Sequence, residues 1–137
     1  MATTHMWDGY NVQIPVKVSD RGRIDDNARR VFKNGQCHAL AFCIHKLTGW
    51  QTYGIPGFTR GVPTHVVVKV PDRGFLDIEG LGAEKRWAAD DIYAIDPSSL
   101  LKIKRYMQPD IDAAMPFARR LVARMTKKTG GNNAKAS

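Results

Sequence analysis

The stretch His65-Val66-Val67-Val68-Lys69-Val70-Pro71-Asp72-Arg73-Gly74-Phe75-Leu76-Asp77-Ile78-Glu79 decides the fold. HVVVKV and FLDIE are two β-rich runs separated by PDRG, the pattern of a hairpin. Val66, Val68 and Val70 repeat with the period of two that turns one face of a strand toward a core. Leu76 and Ile78 must join them there, so Phe75, Asp77 and Glu79 share the other face with His65 and Lys69. A three-residue connection, Asp72-Arg73-Gly74, achieves this parity, with Gly74 in the left-handed position of a bulged turn. One hairpin thus places a histidine and two carboxylates on a single face.

Upstream of the hairpin, residues 51 to 64 carry three Gly and two Pro among aromatics and read as a shaped surface loop. Before that, CHALAFCIHKL is too dense in apolar residues for a single stripe, which marks a helix buried on most sides and ended by Gly49. Asp25 to Lys33 reads as a short helix with acidic residues in its first turn, stopped by Asn34-Gly35. Tyr10 to Val18 alternates around Pro15 and reads as an edge strand or extended arm.

Downstream, Asp96-Pro97-Ser98-Ser99 reads as a turn, and Leu101 to Tyr106 alternates like a strand with a basic face. Asp110 to Lys128 repeats apolar residues at helical spacing, with Pro116 marking a kink or a late start. GGNNAKAS offers nothing apolar larger than Ala, so residues 129–137 are expected to be a disordered basic tail on a single domain of residues 1–128. A buried helix, an antiparallel sheet and a closing C-terminal helix make an α+β domain.

The chain has 137 residues, room for one sizeable core, and its 43% hydrophobic and 25% charged content is that of a globular protein. Its net charge of +8 favours polyanions or acidic surfaces as neighbours, although part of the excess, from Arg119 to Lys135, also suits a solvated face. No apolar run approaches the ~20 residues of a membrane span, and MATTHMWDGY lacks the pattern of a signal peptide, so a cytoplasmic protein is expected. Two cysteines make no disulfide framework. At six-residue spacing on one helix, Cys37 and Cys43 lie about 9 Å apart by rise alone.

The chemistry points to Cys37. A thiol in the first turn of a helix feels the positive end of the macrodipole, which lowers its pKa and populates the nucleophilic thiolate. A small core residue is the competing reading, and for Cys43, between Phe42 and Ile44, it is the whole reading. His65 at the start of its strand tips the balance for Cys37. A thiol at a helix start, a histidine on a strand and a carboxylate on the next strand form a nucleophile, base and orienting-group set. Ideal ladder pairing favours Glu79 as the partner of His65. Gln36 is placed to offer an amide to an oxyanion, beside the Cys37 backbone N–H, or to serve in capping. His38 points about a quarter-turn away from Cys37 and is not expected to be the base. A zinc site from Cys37, His38, Cys43 and His45 would need ligands on several faces of one helix, so neither metal nor other cofactor is expected. Trp50, Tyr53 and Phe58 could wall a substrate cleft or belong to the core.

Over residues 34 to 80 this arrangement resembles the papain-like cysteine hydrolase superfamily. The hairpin from His65 to Asp77 is similar to the histidine hairpin of the bacterial cell-wall endopeptidase branch. The order Cys, His, Asp is similar to the transglutaminase-like and arylamine acetyltransferase core. The resemblance implies a papain-like fold, a catalytic triad of Cys37, His65 and Asp77, and a cysteine-dependent hydrolase or acyltransferase. Its substrate would be an amide, peptide or isopeptide bond in a peptide or protein. For the third member it points to Asp77, where ladder geometry points to Glu79. The alternative class is a non-catalytic basic module for nucleic acid or an acidic protein, in the setting of a phage or toxin effector.

Overall fold

The computed structural model describes residues 2–9, 12–57, 62–103 and 108–136. It is an α+β arrangement in which a five-stranded antiparallel sheet carries helices. Two N-terminal strands, β1 (Ala2–Gly9) and β2 (Val12–Ser19), pair only with each other among the described residues. Pro15 in β2 stands opposite Met6, in a strand with one neighbour, where a missing N–H costs least. Tyr10, at the start of the stretch read as a strand, lies outside the described residues.

Helix α1 (Asp26–Asn34) begins where the Asp25 carboxylate accepts from the Ala28 N–H at 2.9 Å, and it ends at Gly35. Helix α2 (Cys37–Thr48) follows after Gln36 and closes on Gly49, whose φ of +77° suits the left-handed cap. Seven of its residues are buried, among them Cys37, His38, Cys43 and Ile44, as its apolar density required.

The main sheet runs β6 (Gly80–Leu81), β5 (Gly74–Asp77), β4 (Pro63–Val70), β3 (Thr52–Pro56), β7 (Tyr93–Ile95). Strand β3 corrects the expectation of a loop over 51 to 64. Gly54 and Pro56 are poor strand formers alone, but β3 is held on both sides, by β4 and β7, and pairing outweighs propensity. Gly54 also leaves room for its neighbours, because a side chain there would meet the ends of the Ile95 and Tyr93 side chains, which would have to shift.

The hairpin forms as expected in parity. Val68 faces Leu76 and Val70 faces Gly74, and the three residues between are Pro71-Asp72-Arg73, one earlier than anticipated. Asp72, at φ +61°, takes the left-handed position, and Gly74 follows at φ +109°. Val66, Val68, Val70, Leu76 and Ile78 join α2 residues and Phe117 and Leu121 in the main core. On the other face Ile55, Val67 and Ala83 form a smaller cluster with Tyr53, Phe75 and Trp87. That face is covered by α3 (Ala83–Arg86), tied to β5 by the Glu84 carboxylate accepting from the Phe75 N–H at 3.2 Å.

Two further expectations are corrected. Leu101 to Ile103 lie in a helix, α4 (Pro97–Ile103), instead of a strand; 104–106 fall outside the described residues. Asp96-Pro97 is the start of that helix: the Asp96 carboxylate accepts from the Ser98 N–H at 3.0 Å, and proline is at home in the first helical position. The last helix, α5 (Gln108–Ala136), contains Pro116 and runs through Gly130-Gly131, where a disordered tail was expected. Helical hydrogen bonds are local and need no apolar burial to continue. Helix α5 packs chiefly on α2. Among the described residues no helix is long and apolar enough to cross a membrane.

Candidate active site

Cys37 opens α2, His65 is the third residue of β4, and Asp77 ends β5. The structure brings these three together and buries them, at 5%, 0% and 3% exposure. His65 Nε2 and Asp77 Oδ2 are 3.0 Å apart. With Nε2–H donating to the carboxylate, the remaining ring nitrogen, Nδ1, is buried and has no hydrogen-bond partner among the described residues. An orphaned buried nitrogen is costly, so its retention beside a thiol is informative.

The electrostatics of Cys37 and His65 are mutual. Burial alone would raise the Cys37 thiol, but the hydrogen bond to His38 and the interaction with the His65 ring hold it well below its ordinary 9.0. Burial alone would lower His65, but the hydrogen bond to Asp77 and the interaction with Cys37 raise it to about 9. Burial likewise opposes ionisation of Asp77, and the hydrogen bond to His65, the Glu79 N–H and Arg86 lower it on balance. These interactions all favour the combination of thiolate, imidazolium and carboxylate.

The choice between Asp77 and Glu79 follows from where β5 stops. Extrapolating the Val68–Leu76 register would set Glu79 opposite His65. Strand β5 ends at Asp77, and the chain turns at Ile78-Glu79 to pair Asp77 with Gly80, so Glu79 never takes that ladder position. Its carboxylate instead meets Lys33 Nζ at 3.2 Å and Arg86 Nε at 3.5 Å. Asp77 reaches His65 as a diagonal neighbour across the strands.

His38 corrects a second expectation. Its Nδ1 lies 3.5 Å from Cys37 Sγ, so the thiol contacts this ring although consecutive helical residues diverge at Cβ. Side chains in a first turn lean toward the helix N-terminus, which brings the longer ring back onto the thiol. Gln36 is 7% exposed, makes no capping hydrogen bond, and leaves its Oε1 without a partner among the described residues.

Trp50 is placed away from this centre. It follows the far end of α2, ~18 Å from Cys37 by helical rise, where its carbonyl bonds His45 Nδ1 at 2.8 Å. Tyr53 lies on the His65 face but packs edge-on against Phe75, with ring centroids 5.2 Å apart. Phe58 lies outside the described residues. Cys43 Sγ bonds the Ile111 carbonyl at 3.4 Å, so Cys43 and His45 are both turned away from Cys37.

Two site residues escaped the sequence reading. Trp87 stacks on His65 with centroids 4.3 Å apart and planes 16° from parallel. Arg86, its neighbour in the chain, donates from Nη2 to Asp77 Oδ1 at 2.6 Å. The signal was the Arg-Trp pair at the end of a four-residue helix, which carries no periodicity to expose it. Comparison with protein-family models, with curated proteins and with solved structures finds no match to this chain.

Proposed function

We propose that the protein is a papain-like cysteine hydrolase or acyltransferase that acts on an amide, peptide or isopeptide bond through a Cys37 thioester. The observation that carries this reading is His65. Its Nε2 is fixed by a buried carboxylate while its Nδ1 is left open, and its ring and the Cys37 thiol mutually favour the ion pair.

The chemistry follows from these positions. The Cys37 thiolate attacks the carbonyl carbon, and the oxyanion forms at the start of α2, where first-turn N–H groups lack intrahelical acceptors. The Gln36 side chain is the second candidate donor there. Collapse of the intermediate breaks the C–N bond, and the His65 imidazolium gives its proton to the departing amine, leaving a thioester. Water or an amine then attacks the thioester while neutral His65 takes its proton, and Cys37 leaves again as thiolate. Asp77 stabilises the imidazolium and holds its tautomer. Two free cysteines suit a reducing, cytoplasmic setting. The exposed Arg119, Arg120 and Arg124 of α5 offer a surface to an acidic partner or nucleic acid beside the peptide or protein substrate.

The test is acyl transfer from p-nitrophenyl acetate, followed by mass spectrometry of the intact chain. A burst of p-nitrophenolate with one hydroxylamine-labile acetyl group on Cys37 supports the proposal. Slow acetylation of lysines alone, with Cys37 and Cys43 equally inert, would leave the chain a basic binding module.

A further inference from the structure

We propose that Arg86 is a positioning residue of this site, which acts by holding the Asp77 carboxylate aimed at His65. The inference rests on the cysteine-enzyme reading and adds a member to its machinery.

Asp77 is a buried carboxylate, its side chain 1% exposed, and such a group is kept in place only if its oxygens are satisfied. Oδ1 accepts from two donors, the Glu79 N–H at 2.9 Å and Arg86 Nη2 at 2.6 Å. With Oδ1 held, Oδ2 is left for His65. Arg86 is itself braced: Nη1 donates to the Leu81 carbonyl at 2.7 Å, and Nη2 also donates to the Gly80 carbonyl at 2.8 Å. Its Nε faces Glu79, which in turn meets Lys33 of α1.

Charges therefore alternate from the surface inward: Lys33, Glu79, Arg86, Asp77, His65, Cys37. The guanidinium fork makes this possible, because it bonds a carboxylate and two carbonyls at once, whereas an ammonium cannot keep that geometry. The sequence delivers Arg86 to this point through Gly82, whose φ of +95° starts α3, and through the Glu84 contact that ties α3 to β5.

A positioning role and a mere charge predict opposite signs. The positive charge of Arg86 beside Asp77 by itself opposes protonation of His65. If it acted only as a charge, its loss would move the His65 titration up. If it holds the carboxylate in place, its loss lets Asp77 turn away and moves the titration down. Among the described residues, the other titratable groups facing His65 are Cys37, with His38 against it, and Asp77; all stay unchanged in the two Arg86 single variants.

The experiment uses the full chain, with the His65 ring followed by NMR through a pH titration and Cys37 labelled with iodoacetamide. Wild type, Arg86→Lys, Arg86→Gln and Asp77→Asn are compared, with circular dichroism reporting the fold. The expected result is a fall of the His65 titration by about one unit or more in both Arg86 variants, with Cys37 labelling slowed ~10-fold in mild acid. Asp77→Asn is expected to shift it further, and adding Arg86→Lys to Asp77→Asn to change nothing more. The conservative Arg86→Lys keeps the test valid if Arg86→Gln does not fold. A His65 titration that is unchanged or moves up in Arg86→Lys would overturn the inference while leaving the enzyme reading intact. Wild-type Cys37 that labels no faster than an ordinary thiol would instead overturn that reading, and the inference with it.

Discussion

Cys37 and Cys43 stand on one helix, six residues apart, and their surroundings drive them in opposite directions. Cys43 lies mid-helix with its thiol on the Ile111 carbonyl, and burial, aided by the nearby Asp112 charge, pushes it up to about 12. Cys37 is as thoroughly buried, yet two imidazoles and the helix start hold it well below its ordinary value. Burial therefore does not decide reactivity. What decides it is whether the buried thiol meets groups that favour its thiolate, and only the first turn of α2 lies against His65 of β4, with His38 beside it.

The sharpest way to break this comparison is to remove each thiol in turn. Cys37→Ala is expected to abolish acetyl-enzyme formation while the far-ultraviolet circular dichroism stays as in wild type, because little apolar volume is lost. Cys43→Ala is expected to keep the burst and cost about 1 kcal/mol of stability, read by urea unfolding, from a lost hydrogen bond and a small cavity. A surviving burst in Cys37→Ala would end the catalytic assignment.

The next effect in size separates the two carboxylates. Asp77→Asn removes the charge that stabilises the imidazolium and is expected to slow acetylation at least ~100-fold. Glu79→Gln touches His65 only through Arg86 and is expected to slow it a few-fold at most. Rates of p-nitrophenolate release in the two variants decide between them, and the reverse order would restore the ladder-based choice of Glu79.

A smaller effect concerns pH. His65, raised to about 9 from its ordinary 6.5, contributes stability that is full below about 6.5 and is lost as pH rises through about 9. Cys37, lowered from 9.0, contributes stability present above that value and lost as pH falls through its folded pKa. Between about 6.5 and 9 the two trends cancel, since the pair holds one proton in the folded and the unfolded chain alike. Unfolding free energy is therefore expected to be flat across that window and to fall below it, as the unfolded histidine takes up a proton that the ion pair does not. Cleavage of an amide substrate should follow a bell, declining above about 9 where the imidazolium that protonates the departing amine is lost. In Cys37→Ala the flat stretch should disappear, which urea titrations at several pH values would detect.

How much of this was legible in the sequence differs between the two faces of the hairpin. The core face was fully readable, because Val66, Val68, Val70, Leu76 and Ile78 announce themselves by period. On the other face the parity of His65 and Asp77 was readable, but not the point where β5 stops, since a turn at Ile78-Glu79 has no Gly or Pro in its centre. Strand β3 was hidden by Gly54 and Pro56, whose tolerance depends on neighbours far along the chain. Helix α4 was hidden because Leu101, Ile103 and their basic neighbours fit a period of two over a span too short to distinguish from a helical turn. Arg86 and Trp87 were invisible for a related reason: their roles exist only once α3 lies over the sheet.

The smallest expected effect concerns the C-terminal end of α5, and it bounds what supports the Cys43 side of the comparison. Helix α5 packs on α2, takes the Cys43 thiol on its Ile111 carbonyl, and contributes Ala114, Phe117, Ala118, Leu121 and Met125 to the core. Beyond Thr129 the chain offers only two glycines, polar residues and alanines. Each glycine disfavours a helix by about 1 kcal/mol relative to alanine, and no larger apolar side chain is present to offset that by burial. Deleting residues 129–137 should therefore leave the melting temperature and the slow alkylation of Cys43 unchanged within error. A clear fall in melting temperature, or Cys43 becoming open to iodoacetamide, would show that the extension of α5 braces the helix on which both cysteines stand.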